Sequence, residues 1–236
     1  MVDKDRVETG IPGLDSLIEG GLIRGSANLL AGTSGSCKTI FGCQFLWNGI
    51  KKGENGLYVT LEESPDDILK NMLRFDIDFG NSIKTKKFNI VNINPGDITD
   101  ISTFIFNQVK SINAKRLVLD SLTIAAMSWK ERPEEFFKFR IKIFDLIKTL
   151  KKSGVTSLLI SEVSKGSDEI SRFGFEEFVA DGVIYLYYTK KENARFRGVE
   201  VLKQRGSKHS NRIVPITITK NGIEVHPDSD FFEEIK

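Results

Sequence analysis

Hydrophobic residues along this chain alternate between short continuous runs and helically spaced stripes. Continuous runs such as Leu117-Val118-Leu119 and Leu158-Leu159-Ile160 suit parallel strands covered on both faces. Strands are expected over residues 27–31, 56–62, 88–94, 116–120, 157–163, 182–189 and 199–205. Helices are expected between them. One, over 39–51, follows the first strand. Another opens at Ser64-Pro65-Asp66-Asp67, with Ser as N-cap and Pro in the first turn, and runs through 68–75. A third, over 133–152, carries Phe137, Ile141, Phe144, Ile147 and Leu150 at three-to-four-residue spacing, which predicts a core-facing stripe rather than a ligand box.

Strand–helix alternation implies an α/β fold with a mostly parallel, doubly wound sheet flanked by helices. The end of the chain changes character. Residues 215–219, Asn221-Gly222 and residues 223–225 read as an antiparallel β-hairpin with an Asn-Gly turn. The whole, 1–236, is expected to be one domain.

Charge narrows the choice of function. Lys+Arg 34 against Asp+Glu 32 leaves a formal net charge of +2, too balanced for a nucleic-acid binder driven by bulk electrostatics. No apolar run reaches the roughly 18 residues that span a bilayer. The charged N-terminus lacks the apolar core of a signal peptide, so a cytoplasmic protein without membrane contact is expected. Cys37 and Cys43 form no CxxC pair, and His209 and His226 are far apart, which argues against zinc and a disulfide framework.

The chemistry concentrates after the first strand. Gly32-Thr33-Ser34-Gly35-Ser36-Cys37-Lys38-Thr39 links a strand to a helix, the setting of a phosphate-binding loop whose backbone N–H groups wrap an anion. Lys38 would reach the β- and γ-phosphates, and the Thr39 hydroxyl would hold Mg²⁺. The full pattern has glycine where this chain has Cys37. Three readings stand open: a tolerated small side chain, binding with weakened hydrolysis, or a low-pKa, oxidisable thiol beside a lysine and a helix N-terminus.

Other candidates surround this loop. The apolar strand Arg116-Leu117-Val118-Leu119 ends in Asp120, placed to face a Mg²⁺ shell or simply to cap a turn. Glu62-Glu63 end another strand, where one of them would orient and deprotonate an attacking water; the alternative is a solvated acidic strand end. In Lys203-Gln204-Arg205-Gly206-Ser207-Lys208-His209, Lys203 and Arg205 point to one side of a strand. They either guard an exposed edge or clamp a phosphate as arginine fingers do, and a strand this late would do so in trans.

Taken with Gly10-Ile11-Pro12-Gly13-Leu14-Asp15, Gly20-Gly21-Leu22, Thr60-Leu61-Glu62-Glu63-Ser64-Pro65 and Gly174-Phe175-Glu176-Glu177-Phe178-Val179-Ala180-Asp181-Gly182-Val183, these strings make a family resemblance. From about Thr9 to His226 the chain resembles the KaiC-like branch of the RecA-type ATPases. The resemblance implies a RecA-like P-loop core and ring-shaped homohexamers with ATP and Mg²⁺ between subunits. It implies nucleotide binding by Gly32, Thr33, Ser34, Gly35, Ser36, Cys37, Lys38, Thr39 and Ile40, with Arg74 near the base or ribose and Asp120 as the Walker B acid. Thr39 and Asp120 would serve the metal, while Glu62, Glu63 and Lys38 would serve catalysis. Lys203, Gln204, Arg205, Ser207, His209 and Thr219 match positions that contact the neighbouring subunit's nucleotide. Clock members of the family are tandems of two such domains, and their autokinase half carries phosphorylated hydroxyls where this chain has Glu177 and Phe178. No autophosphorylation is therefore expected there. Lys220 stands where clock members have an acid.

Three functions are consistent with this reading: a slow ATPase acting as a regulatory switch read by partner proteins, a RecA-like nucleic-acid binder, and a nucleotide-gated scaffold with little hydrolysis. The second rests on Trp129-Lys130-Glu131-Arg132, where an aromatic ring and cations follow Walker B. It is not favoured in a near-neutral chain.

Overall fold

Successive side chains of a strand point to opposite faces, and the apolar runs of this chain use both. The computed structural model describes residues 5–94, 100–127, 136–164 and 169–231, without the side chains of 136–139. The strands are β1 (Arg6–Val7), β2 (Leu22–Ile23), β3 (Ala27–Gly32), β4 (Gly56–Thr60), β5 (Phe88–Asn92), β6 (Arg116–Asp120), β7 (Thr156–Glu162), β8 (Gly182–Lys191), β9 (Ala194–Gln204), β10 (Val214–Thr219) and β11 (Gly222–Val225). The helices are α1 (Lys38–Lys51), α2 (Pro65–Met72), α3 (Gly80–Lys84), α4 (Ile101–Ser111), α5 (Leu122–Met127), α6 (Phe136–Ser153) and α7 (Glu176–Val179).

One sheet runs in the order β11-β10-β9-β8-β3-β7-β6-β4-β5. From β8 to β5 the pairings are parallel, and β9, β10 and β11 add antiparallel strands at one edge. Leu30, Val118, Leu158 and Ile160 face a core shared with α1 and α2, whereas Leu29, Leu117, Leu119 and Leu159 face a second core under α4, α5 and α6. Both faces are thus covered, as the continuous apolar runs require. Among the described residues no helix is long and apolar enough to cross a membrane.

Two local expectations need correction. Among the described side chains of α6 the buried row is Ile143, Leu146, Ile147 and Leu150, while Ile141 and Phe144 are exposed, at 44% and 51%, and the Phe137 side chain lies outside those described. The helix is apolar on several faces, so periodicity alone did not fix its rotation. Phe144 instead lies under the Lys148 ammonium. In the C-terminal hairpin Thr219 pairs with Gly222, so the turn residues are Lys220 and Asn221, and Gly222 takes the left-handed conformation (φ 100°). The start of α2 is as expected: Ser64 Oγ accepts from Asp67 N at 3.2 Å, with Pro65 in the first turn.

The N-terminal glycine string frames the fold. Thr9 donates from N and Oγ1 to Asp15 at 2.9 and 2.7 Å, and burial raises the Asp15 carboxyl against these bonds. Gly13 has φ 82°, and a Cβ there would lie 2.0 Å from the Val225 carbonyl oxygen. The string therefore locks the first turn of the chain onto β11.

Candidate functional site

Parallel register decides what meets at the carboxyl edge of the sheet. Gly32 on β3 lies opposite Glu162 on β7, and Thr60 on β4 lies opposite Asp120 on β6. The loop after Gly32 crosses this edge and enters α1 at Lys38. A pocket of about 510 Å³ opens there, within the size of small-ligand sites. Lys38, Thr39, Glu62, Glu63, Asp120 and Glu162 line its polar side; Ile40, Ile68, Met72, Phe75 and Ile218 give it an apolar wall, with Arg74 beside them.

Short polar contacts hold the carboxylates. Asp120 Oδ2 accepts from Tyr58 OH at 2.6 Å and from Thr39 Oγ1 at 3.2 Å. Glu62 Oε1 accepts from Ser121 Oγ at 2.9 Å. Thr60 Oγ1 donates to the Glu63 carbonyl at 2.8 Å and accepts from Glu62 N at 3.3 Å, which fixes the turn carrying both glutamates. Lys38 is buried, its Nζ donating to the Gly32 and Thr33 carbonyls at 3.0 and 2.9 Å.

Burial governs the electrostatics. It lowers the Lys38 pKa against the pull of Glu162, Asp120 and Glu62. It raises Asp120, with Glu62 adding to the rise against the Tyr58 and Thr39 hydrogen bonds. It raises Glu162, again with Glu62 adding. A site that crowds carboxylates around a desolvated lysine favours a cation among the acids and an anion on the lysine. Thr39 Oγ1 and Asp120 Oδ2 are hard oxygen donors within 3.2 Å of each other. Among the described residues no cluster of His, Cys, Asp and Glu could hold a metal by itself. That donor set fits Mg²⁺, which takes few protein ligands and keeps waters and phosphate oxygens.

Cys37 adopts φ 69° and ψ 26°, the left-handed conformation that glycine fills without strain. Its thiol is not the low-pKa group that was one reading of the sequence. Burial pushes it up to about 12, outweighing the opposing charges of Arg197 and Lys38.

The remaining candidates sit elsewhere in their own chain. Because β9 runs antiparallel to β8, it carries Lys203 and Gln204 away from the phosphate loop, to the opposite edge of the sheet. Lys203 Nζ donates to the carbonyls of Glu177 and Ala180 at 2.8 and 2.7 Å, and Arg205 donates to Phe178 O at 2.7 Å. Gln204 is buried. Ser207 bridges Arg6 and Glu19, and His209 Nδ1 lies 3.0 Å from Ser210 O. Thr219 Oγ1 donates to Gly222 O, one residue from Ile218 on the pocket wall. The Trp129–Arg132 stretch, residues 129–132, lies outside the described residues.

Sequence reasoning missed Glu162, Arg197 and Ile218 as pocket residues. Glu162 ends a buried strand just as Asp120 does, so the same signal was present. Glu176, in the signature string, is structural: buried, it accepts from Ser171 Oγ at 2.6 Å and from the N–H of Phe173 at 3.2 Å.

The family described as ATPase: KaiC matches residues 7–230. The circadian clock protein KaiC3 of Synechocystis is 38% identical over 244 residues, covering 96% of this chain and 48% of that protein. The chain thus spans about half the length of the KaiC relatives it matches. A UPF0273 protein of Pyrococcus horikoshii is 38% identical, with 94% of each chain covered. The crystal structure of a KaiC-like protein from the same archaeon superposes with a TM-score of 0.83 at 41% identity, over 94% of this chain and 99% of that one.

Proposed function

This chain belongs to the KaiC family of ATPase domains, and on that premise we propose that it is a slow, Mg²⁺-dependent ATPase whose sites are completed by neighbouring copies. The observation carrying the reading is the strand register that gathers Lys38, Thr39, Asp120 and Glu62 around one pocket.

In this reading the loop from Gly32 to Thr39, with Ile40 and Arg74, holds the nucleotide. Thr39 and Asp120 would hold Mg²⁺, which would supply charge neutralisation at the phosphates. Glu62, oriented by Ser121, accepts a proton from water as the water oxygen attacks the γ-phosphorus. The bond to ADP breaks, leaving ADP and phosphate. Glu63 lies beside it in the same pocket. The left-handed conformation of Cys37 (φ 69°), which glycine adopts without strain, supports slow turnover by stiffening the loop.

Arg205 is the better trans group. Its side chain is 52% exposed, whereas Lys203 is tied to three carbonyls at the end of α7. Ser207 and His209 would complete the surface offered to a neighbour, in a ring proposed to be a hexamer, whereas Gln204 is buried and Thr219 stands beside the chain's own pocket wall at Ile218. Cytoplasmic regulatory partners would read its nucleotide state, and autokinase activity is not part of the proposal. Steady-state phosphate release from Mg-ATP tests the assignment. Glu62→Gln should lose at least about a hundredfold in rate, the usual worth of a general base. An unchanged rate would remove Glu62 from the chemistry. Tight ATP binding without turnover in either protein would favour a nucleotide-gated scaffold.

A further inference from the structure

One cation in the pocket has no part in this mechanism. Arg197, on β9, lines the same pocket as Lys38 and Thr39. Its Nε donates to the Gly35 carbonyl at 3.2 Å. Its guanidinium lies 4.3 Å from the centroid of the Tyr188 ring on β8, and Arg195 approaches that ring at 5.1 Å. Tyr188 in turn rests on the phosphate loop, since a Cβ built on Gly35 would come within 2.9 Å of its ring. Among the described residues no carboxylate pairs with Arg197.

A guanidinium carries five N–H donors, and here one is spent on the loop itself. Stacking fixes the plane of the rest at low entropic cost, the arrangement that makes arginine suited to phosphate oxygens. The group meets the loop at Gly35, three residues before Lys38. In a loop of this kind that lysine reaches the β- and γ-phosphates.

We propose that Arg197 is a phosphate-recognition residue acting in cis, held by Tyr188 and Gly35, that binds the phosphate chain beyond the α-phosphate and makes the site select nucleoside di- and triphosphates over monophosphates. The proposal rests on the nucleotide reading of the pocket. Strand β9 then bears a phosphate-binding cation toward each end, Arg197 for its own nucleotide and, just past its last residue, Arg205 for a neighbour's.

Fluorescent mant-ATP, mant-ADP and mant-AMP, titrated with Mg²⁺ against wild type, Arg197→Gln and Arg197→Lys, test it. Arg197→Gln should weaken ATP and ADP binding by about tenfold to a hundredfold, as loss of a charge-assisted hydrogen bond does. AMP binding should stay within about twofold of wild type, the scatter expected where no contact is lost. Arg197→Lys should recover part of the loss, because it restores the charge without the planar fork. Unchanged ATP affinity in Arg197→Gln, or an equal loss for all three nucleotides in both variants, would overturn the proposal and leave Arg197 as a brace of the hairpin. Wild-type protein that binds none of the three would instead overturn the nucleotide reading on which it rests.

Discussion

Cys37 occupies a left-handed position (φ 69°) in the loop between β3 and α1. L-residues bear about 1–2 kcal/mol there that glycine does not. Cys37→Gly should raise the unfolding free energy by about 1 kcal/mol in chemical denaturation. A fall would show that packing of the thiol outweighs the backbone strain. Arg116 presents another residue-scale balance. Its buried guanidinium meets Glu54 at 2.6 Å and the carbonyls of Glu8 and Phe45 at 2.8 Å. Burial pushes the Glu54 carboxyl up, but the hydrogen bond and charge of Arg116, with those of Arg24, hold it below the ordinary 4.5. A depressed folded-state pKa contributes stability that is complete above 4.5 and lost as pH falls from there through the folded value. Glu54→Gln should abolish that part of the acid dependence and cost about 3 kcal/mol, because the buried cation loses its partner. Equilibrium unfolding at pH 7 and pH 4 measures both effects, and an unaltered pH profile would contradict the assignment.

At the scale of elements, what was legible was whatever a local rule determines alone. The Ser64-Pro65 start of α2 and the buried strand ending in Asp120 each carry their own signal, a cap or an unbroken apolar run. The face of α6 does not. Its apolar residues fall on more than one stripe, and only docking onto the second core selects Ile143, Leu146, Ile147 and Leu150. Leu150→Ala should therefore cost about 2–5 kcal/mol, while Phe144→Ser should stay within about 0.5 kcal/mol. Equal losses by thermal or chemical unfolding would restore the stripe first expected. Arg197 was missed for a related reason. The β8–β9 hairpin reaches from Gly182 to Gln204, but its tip is polar and exposed, so hydrophobic patterning ended the first strand early and began the second late. The site's acids were legible as strand ends; its cis arginine depends on a hairpin folding back over the loop.

At the scale of the molecule, the sheet separates the loop after β3 and its acids from the Lys203 and Arg205 cations, the separation that action in trans requires. The phosphate loop, Glu62 and Asp120 share the carboxyl edge, whereas β9 delivers Lys203 to the far edge, about 20 Å beyond Arg197 at strand spacing. A chain built this way cannot bring Arg205 to its own loop, so the shared-site account makes an intermolecular demand. Mixing Lys38→Ala, defective in its own loop, with Arg205→Ala, defective only toward a neighbour, tests that demand most directly. Each variant alone should release phosphate slowly, and the mixture should recover rate, because Arg205→Ala subunits with intact loops receive Arg205 from Lys38→Ala neighbours. A mixture no faster than the average of the two variants would contradict a site shared between copies.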